Sequence, residues 1–83
     1  MLKIYGMMIC PDCVECCAAL DKASVAYEFL DFSKETKNLK EFLKIREGNP
    51  LFDESREKGG IGIPCIVKES GEITLDWEEF LRK

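Results

Sequence analysis

Ile9-Cys10-Pro11-Asp12-Cys13-Val14-Glu15-Cys16-Cys17 is the stretch that decides how the rest of the chain is read. A short apolar run, Leu2-Lys3-Ile4-Tyr5, leads into it through Gly6, and a helical pattern leaves from it. Cys10 and Cys13 therefore fall where a strand ends and a helix begins. The free N–H groups and positive dipole end of a first helical turn favour a thiolate over a thiol, which makes Cys10 the better nucleophile. Cys13, one turn further in, can reach back and close a disulfide with it. Pro11 sits where a helix tolerates proline, because the missing donor is not needed there. The pair reads as a redox dithiol. The bland alternative, two ordinary buried thiols, gives no reason for the placement at a helix start.

Outward from this stretch, the helical pattern runs from residue 10 to about residue 23 and puts Cys13, Cys16, Leu20 and Ala23 on one side. Cys16 points to the core centre, and Cys17 lies at its edge, one turn below Cys13. Residues 25–32 are aromatic and β-prone, and following a helix they close a βαβ unit with parallel pairing. Asn38 and Glu41 have the form of a capping box for a second helix reaching about residue 47. Gly48-Asn49-Pro50 ends it and opens a short third helix, capped by Asn49, that reaches about residue 58 before Gly59-Gly60. Leu51, and secondarily Phe52, turn inward from it. Ile63-Pro64-Cys65-Ile66-Val67 reads as a third strand opening on proline. Ser70-Gly71 makes a tight turn, residues 72–75 return antiparallel, and Asp76 with Glu79 caps a last helical turn over 77–83. The expected architecture is α/β, a central four-stranded mixed sheet flanked by helices, in the order βαβ, helix, ββα.

The 83 residues contain no repeat and support one domain, 1–83, with a modest core. No apolar run approaches the roughly 20 residues needed to span a bilayer. No basic segment followed by a long apolar stretch marks the N-terminus as a secretory signal, so the expected location is cytoplasmic. Sixteen acidic against twelve basic residues, a net charge of −4, argue against nucleic acid or an anionic membrane as partner. The odd count of five cysteines, four of them within residues 10–17, points to a reducing compartment and to redox or metal chemistry. The absence of histidine removes Cys/His zinc sites.

The element order, the Cys10-Pro11-Asp12-Cys13 motif at the first strand-to-helix junction, and the apolar-proline step Ile63-Pro64 together resemble the glutaredoxin branch of the thioredoxin fold. The likeness covers almost the whole chain, and Tyr5 stands five residues ahead of Cys10, as an aromatic often does in that family. The resemblance implies a thioredoxin-like fold with Cys10 as nucleophile, Cys13 as resolving thiol and a cis Ile63–Pro64 step beside them. Ile9, Pro11, Asp12, Ile63 and Pro64 would contact substrate. It implies a monomeric enzyme with no required cofactor, acting on disulfide-containing proteins or glutathione mixed disulfides. A thiol reductant restores it, with glutathione a candidate reductant or co-substrate. The chain departs from the family at three places. Met7 stands where a lysine or arginine is usual. Asp12 replaces an aromatic and puts a carboxylate where it opposes a thiolate. Ile73-Thr74-Leu75-Asp76-Trp77-Glu78 replaces the glycine pair and acidic pair that bind glutathione. Residues 49–58 are extra, and either cover the site or extend the core.

Of the remaining thiols, Cys16 reads as a small hydrophobe in the core. Cys17 and Cys65 are either spacers or, with Cys10 and Cys13, a four-thiolate set for zinc or an iron–sulfur cluster. The second option defines the rival function, a non-enzymatic metal-binding protein on the same fold. Met7 and Met8 are soft donors for copper(I) or covers for apolar surface. The Lys/Glu-rich stretches read as solvated helix faces.

Overall fold

A computed structural model describes residues 1–81. The strands are β1 (Leu2–Gly6), β2 (Tyr27–Asp31), β3 (Cys65–Val67) and β4 (Ile73–Thr74). They form one mixed sheet in the order β2-β1-β3-β4. β1 pairs parallel with β2 and antiparallel with β3, and β3 pairs antiparallel with β4. The helices are α1 (Pro11–Lys22), α2 (Thr36–Arg46) and α3 (Asp53–Glu57). A 3-10 turn, Pro50–Phe52, leads into α3, and another, Trp77–Phe80, follows β4. The α/β architecture and the mixed four-stranded sheet are as the sequence pattern predicts.

Because side chains alternate along a strand, the pairing register sorts the core into two layers. Ile4 pairs with Ile66, and this face, with Leu2, Tyr27 and Phe29, meets Cys16 and Leu20 of α1. Trp77 and Phe80 close the same layer. One residue along, Tyr5 pairs with Cys65, and that opposite face carries Phe42 of α2 and Phe52. Fully burying a large apolar side chain stabilises by about 1.5–3 kcal/mol, so Ile4, Leu20 and Ile66 on one side and Phe42 and Phe52 on the other, all wholly buried, are the main cohesion of the fold. Phe52 meets Phe42 edge to face at 5.8 Å between centroids, which fastens the extra segment to α2.

Four expectations are corrected. Ala23 is exposed, because α1 ends at Lys22 and the chain leaves through Ser24 in a left-handed conformation, φ 58°. Asn38 does not cap α2. The helix starts at Thr36, two residues earlier, and Asn38 is buried inside its first turn, donating from Nδ2 to the Asp31 carbonyl at 3.0 Å. Leu51 is exposed and Phe52 alone of that pair is inward, since Asn49 caps a 3-10 turn there and not a full α-helical one. The last helical turn is the 3-10 turn at Trp77–Phe80, capped by Asp76 accepting from the Glu78 amide and not through Glu79. Residues 82 and 83, expected to extend it, lie outside the described residues. Among the described residues no helix is long and apolar enough to cross a membrane.

Candidate active site

Cys10 is the N-cap of α1, with an extended backbone at φ −82° and ψ 122°. Its carbonyl accepts from the Cys13 and Val14 amides, each at 3.1 Å, and its own amide donates to the Met7 carbonyl at 3.0 Å. Pro11 follows at the first helical position, as its fixed φ favours. The Cys10 side chain makes no capping hydrogen bond, so a sulfur occupies the place where a helix usually carries a capping oxygen. That sulfur is half-buried, whereas Cys13, Cys16, Cys17 and Cys65 are all buried, and all five are free thiols.

Cys13 is wholly buried beneath the tip. Burial pushes its thiol up to about 12, opposed by the Met7 backbone N–H, with Cys10 close enough to raise it further through charge and hydrogen bonding. The sulfur is packed against Gly6 at the end of β1: a Cβ built on Gly6 would stand 2.6 Å from Cys13 Sγ and 3.4 Å from the Phe29 ring. Gly6 is therefore a glycine for the sake of the second cysteine. The loop between them is held from β2. Asp31, a buried carboxylate, accepts from the Met8 amide at 3.3 Å and from the Ser33 amide and hydroxyl at 2.7 and 2.6 Å. The Ser33 hydroxyl is the main cause holding its carboxyl low.

In front of Cys10 lies a cleft of about 450 Å³, lined by Cys10, Asp12, Ser55, Lys58 and residues 59–63. The Ile63–Pro64 bond is cis. Of the expected substrate contacts, the lining takes in Asp12 and Ile63. Ile9 and Pro11 are exposed on the tip, Ile9 at 79%, and Pro64 is buried behind Ile63. The extra segment does both things open to it. Phe52 extends the core, and Ser55 and Lys58 stand at the cleft. Gly62, at φ +91°, lies over Phe52, where a Cβ would come within 2.6 Å of the ring, so this wall passes the core by lacking a side chain.

Of the remaining cysteines, Cys16 and Cys17 lie near Cys13 within α1, and Cys65 stands across the sheet. Burial pushes the Cys16 thiol up to about 12 in the α1 layer, and Cys17, at 4% exposure, is raised by burial as well, with the Tyr27 hydroxyl pulling it the other way. Cys65, raised to about 12 by burial, faces Tyr5, Phe42 and Phe52 on the other side of the sheet. The four-thiolate set of Cys10, Cys13, Cys17 and Cys65 is thus not assembled, because the strand register turns Cys65 away from α1. Among the described residues no group of three or more Cys, Asp or Glu is placed to hold a metal ion. Asp76, the acidic position set against the family's glutathione site, caps the 3-10 turn and takes its amide hydrogen bond to Thr74 Oγ1 at 3.0 Å. Asp31, Ser55, Lys58 and the glycine wall escaped sequence reading. The density of glycines at 59, 60 and 62, just ahead of a proline step, is the available signal for a cleft wall made of backbone.

An uncharacterized protein of Haemophilus influenzae (strain ATCC 51907 / DSM 11121 / KW20 / Rd) is 34% identical over 67 residues, 81% of this chain and 78% of that protein, and the chain belongs to its family. No protein-family model and no solved structure matches the chain.

Proposed function

We propose that the protein is a small thiol–disulfide oxidoreductase of the glutaredoxin-like class, on a thioredoxin-like fold, working in a reducing compartment such as the cytoplasm. The observation that carries this reading is the inequality of the two motif thiols. Cys10 is the more accessible thiol, at the N-terminal end of α1, and Cys13 lies buried in reach of it, its thiol pushed up by burial. Cys10 thiolate attacks one sulfur of a substrate disulfide. A Cys10–substrate bond forms, the substrate S–S bond breaks, and the departing thiolate takes a proton. Cys13, deprotonated as it attacks, then displaces the second substrate sulfur as a thiol and leaves a Cys10–Cys13 disulfide. Two equivalents of a low-molecular-weight thiol, or one dithiol protein, return the pair to the reduced state. The backbone at Ile63, beside the cis bond, supports an extended substrate strand along the cleft.

Exposure to oxidised glutathione followed by mass spectrometry tests the assignment. Cys13→Ser is expected to accumulate a mixed disulfide at Cys10, and Cys10→Ser to remain unmodified at Cys13. Equal modification of the two variants would defeat it. Turnover with glutathione against turnover with thioredoxin as reductant then identifies the donor.

A further inference from the structure

The wall of the cleft opposite Cys10 is held from behind by a side chain that no catalytic step uses. Arg46, in the last turn of α2, donates from Nη2 to the Gly60 carbonyl at 3.1 Å. The Gly60 amide in turn donates to the Ser55 carbonyl at 2.7 Å, so both backbone groups of Gly60 are fixed. Arg56 laces the same region, donating from Nη2 to the Arg46 carbonyl at 2.5 Å and from Nη1 to the Asn49 carbonyl at 3.3 Å. Arg46 Nε is buried with no hydrogen-bond partner among the described residues. A buried orphan donor is unfavourable, and an apolar side chain of the same length would fill the space without one. What the guanidinium does at this position is hold the Gly60 carbonyl, by a hydrogen bond at the protein surface.

We infer that Arg46 is a positioning residue that sets the far wall of the Cys10 cleft and so decides which disulfides reach Cys10. The inference rests on the disulfide-exchange reading and adds the determinant of substrate choice. A substrate long enough to run from Cys10 along residues 59–63 needs that wall in place. A disulfide that touches the sulfur alone does not.

Three rates test it in wild type, Arg46→Met and Arg46→Lys: reduction of a mixed disulfide of glutathione with a short peptide, reduction of bis(2-hydroxyethyl) disulfide, and alkylation of Cys10 by iodoacetamide. In Arg46→Met the peptide reaction is expected to fall at least about tenfold, through KM and not kcat, because its fit to the site is lost. The other two rates should stay within about twofold of wild type. Arg46→Lys keeps the charge and the stem but not the planar fork, and should show the same pattern. It serves alone if Arg46→Met does not fold. An unchanged peptide rate with a lowered melting temperature would make Arg46 merely structural, and a proportional fall in all three rates would place its effect on the thiol; either overturns the inference. A wild-type protein that is alkylated at Cys10 yet reduces neither disulfide fails differently, removing the proposed function and the inference with it.

Discussion

Cys10 and Cys16 belong to one helical segment and carry the same side chain, yet they occupy opposite chemical situations. Cys10 stands at the cap, on extended backbone, half-buried at the mouth of a cleft. Cys16 is enclosed by Ile4, Leu20 and Ile66, with its thiol pushed up to about 12 by burial. The difference teaches that a cysteine count says little about reactivity. Position along the helix separates an accessible thiol from a piece of core, and Cys13 stands between them, buried like Cys16 but in reach of Cys10.

The sharpest way to break this comparison is differential alkylation. A thiol at about 12 is only roughly one part in 10⁴ ionised at pH 8, as for Cys13, Cys16 and Cys65. Iodoacetamide on the folded protein at pH 8 is expected to modify Cys10 alone, and all five cysteines once urea unfolds the chain. Modification of Cys16 at the rate of Cys10 in the folded protein would end the distinction.

A second measurement sharpens it through stability. The buried thiols bind protons more tightly when folded than when unfolded, so between the ordinary thiol value of 9.0 and about 12 the unfolded chain holds fewer protons. Stability is then whole below about pH 9 and falls as pH rises, by about 1.4 kcal/mol per pH unit for each such thiol. Urea midpoints under reducing conditions, taken from pH 8 to pH 11, should drop steeply above 9. Cys16→Ala should flatten the slope by one proton. A midpoint constant across the range would contradict the burial of these sulfurs.

The smallest expected effect is that of Cys16→Ala at neutral pH. Removing one buried sulfur should cost about 1 kcal/mol and lower the melting temperature by about 4–8 °C. The rate of disulfide reduction should stay at the wild-type value, and a large loss of rate would move Cys16 from core to mechanism.

Much of this was legible in the sequence because it depends on local pattern. The apolar run Leu2-Lys3-Ile4-Tyr5 marks the first strand, the cysteine spacing with Pro11 marks the start of α1, and Asn49-Pro50 marks where the short third helical segment begins. What escaped depends on partners far along the chain. Asn38 looked like a cap because the Asn38/Glu41 spacing is right, but the Asp31 carbonyl claims its side chain from inside the helix. Cys65 follows the proline beside the site, and only its pairing with Tyr5 sends it to the other layer. The cleft wall is made of backbone and held by Arg46, which no spacing connects to residue 60.

The placement of Cys65 across the sheet has a consequence for how the protein weathers an oxidant. Five thiols in a small chain invite scrambled cross-links, but here the sheet acts as an insulator between Cys65 and the cysteines of α1. Within the helix, residues three or four apart keep their Cβ atoms about 5–6 Å from each other, further than the roughly 3.5–4.5 Å a disulfide spans, so Cys13 cannot join Cys16 or Cys17 without unwinding it. Cys10 escapes that restriction because its backbone is not yet helical. Geometry therefore keeps Cys65 away from the α1 cysteines, and Cys13 away from a bond to Cys16 or Cys17, for as long as the fold is intact.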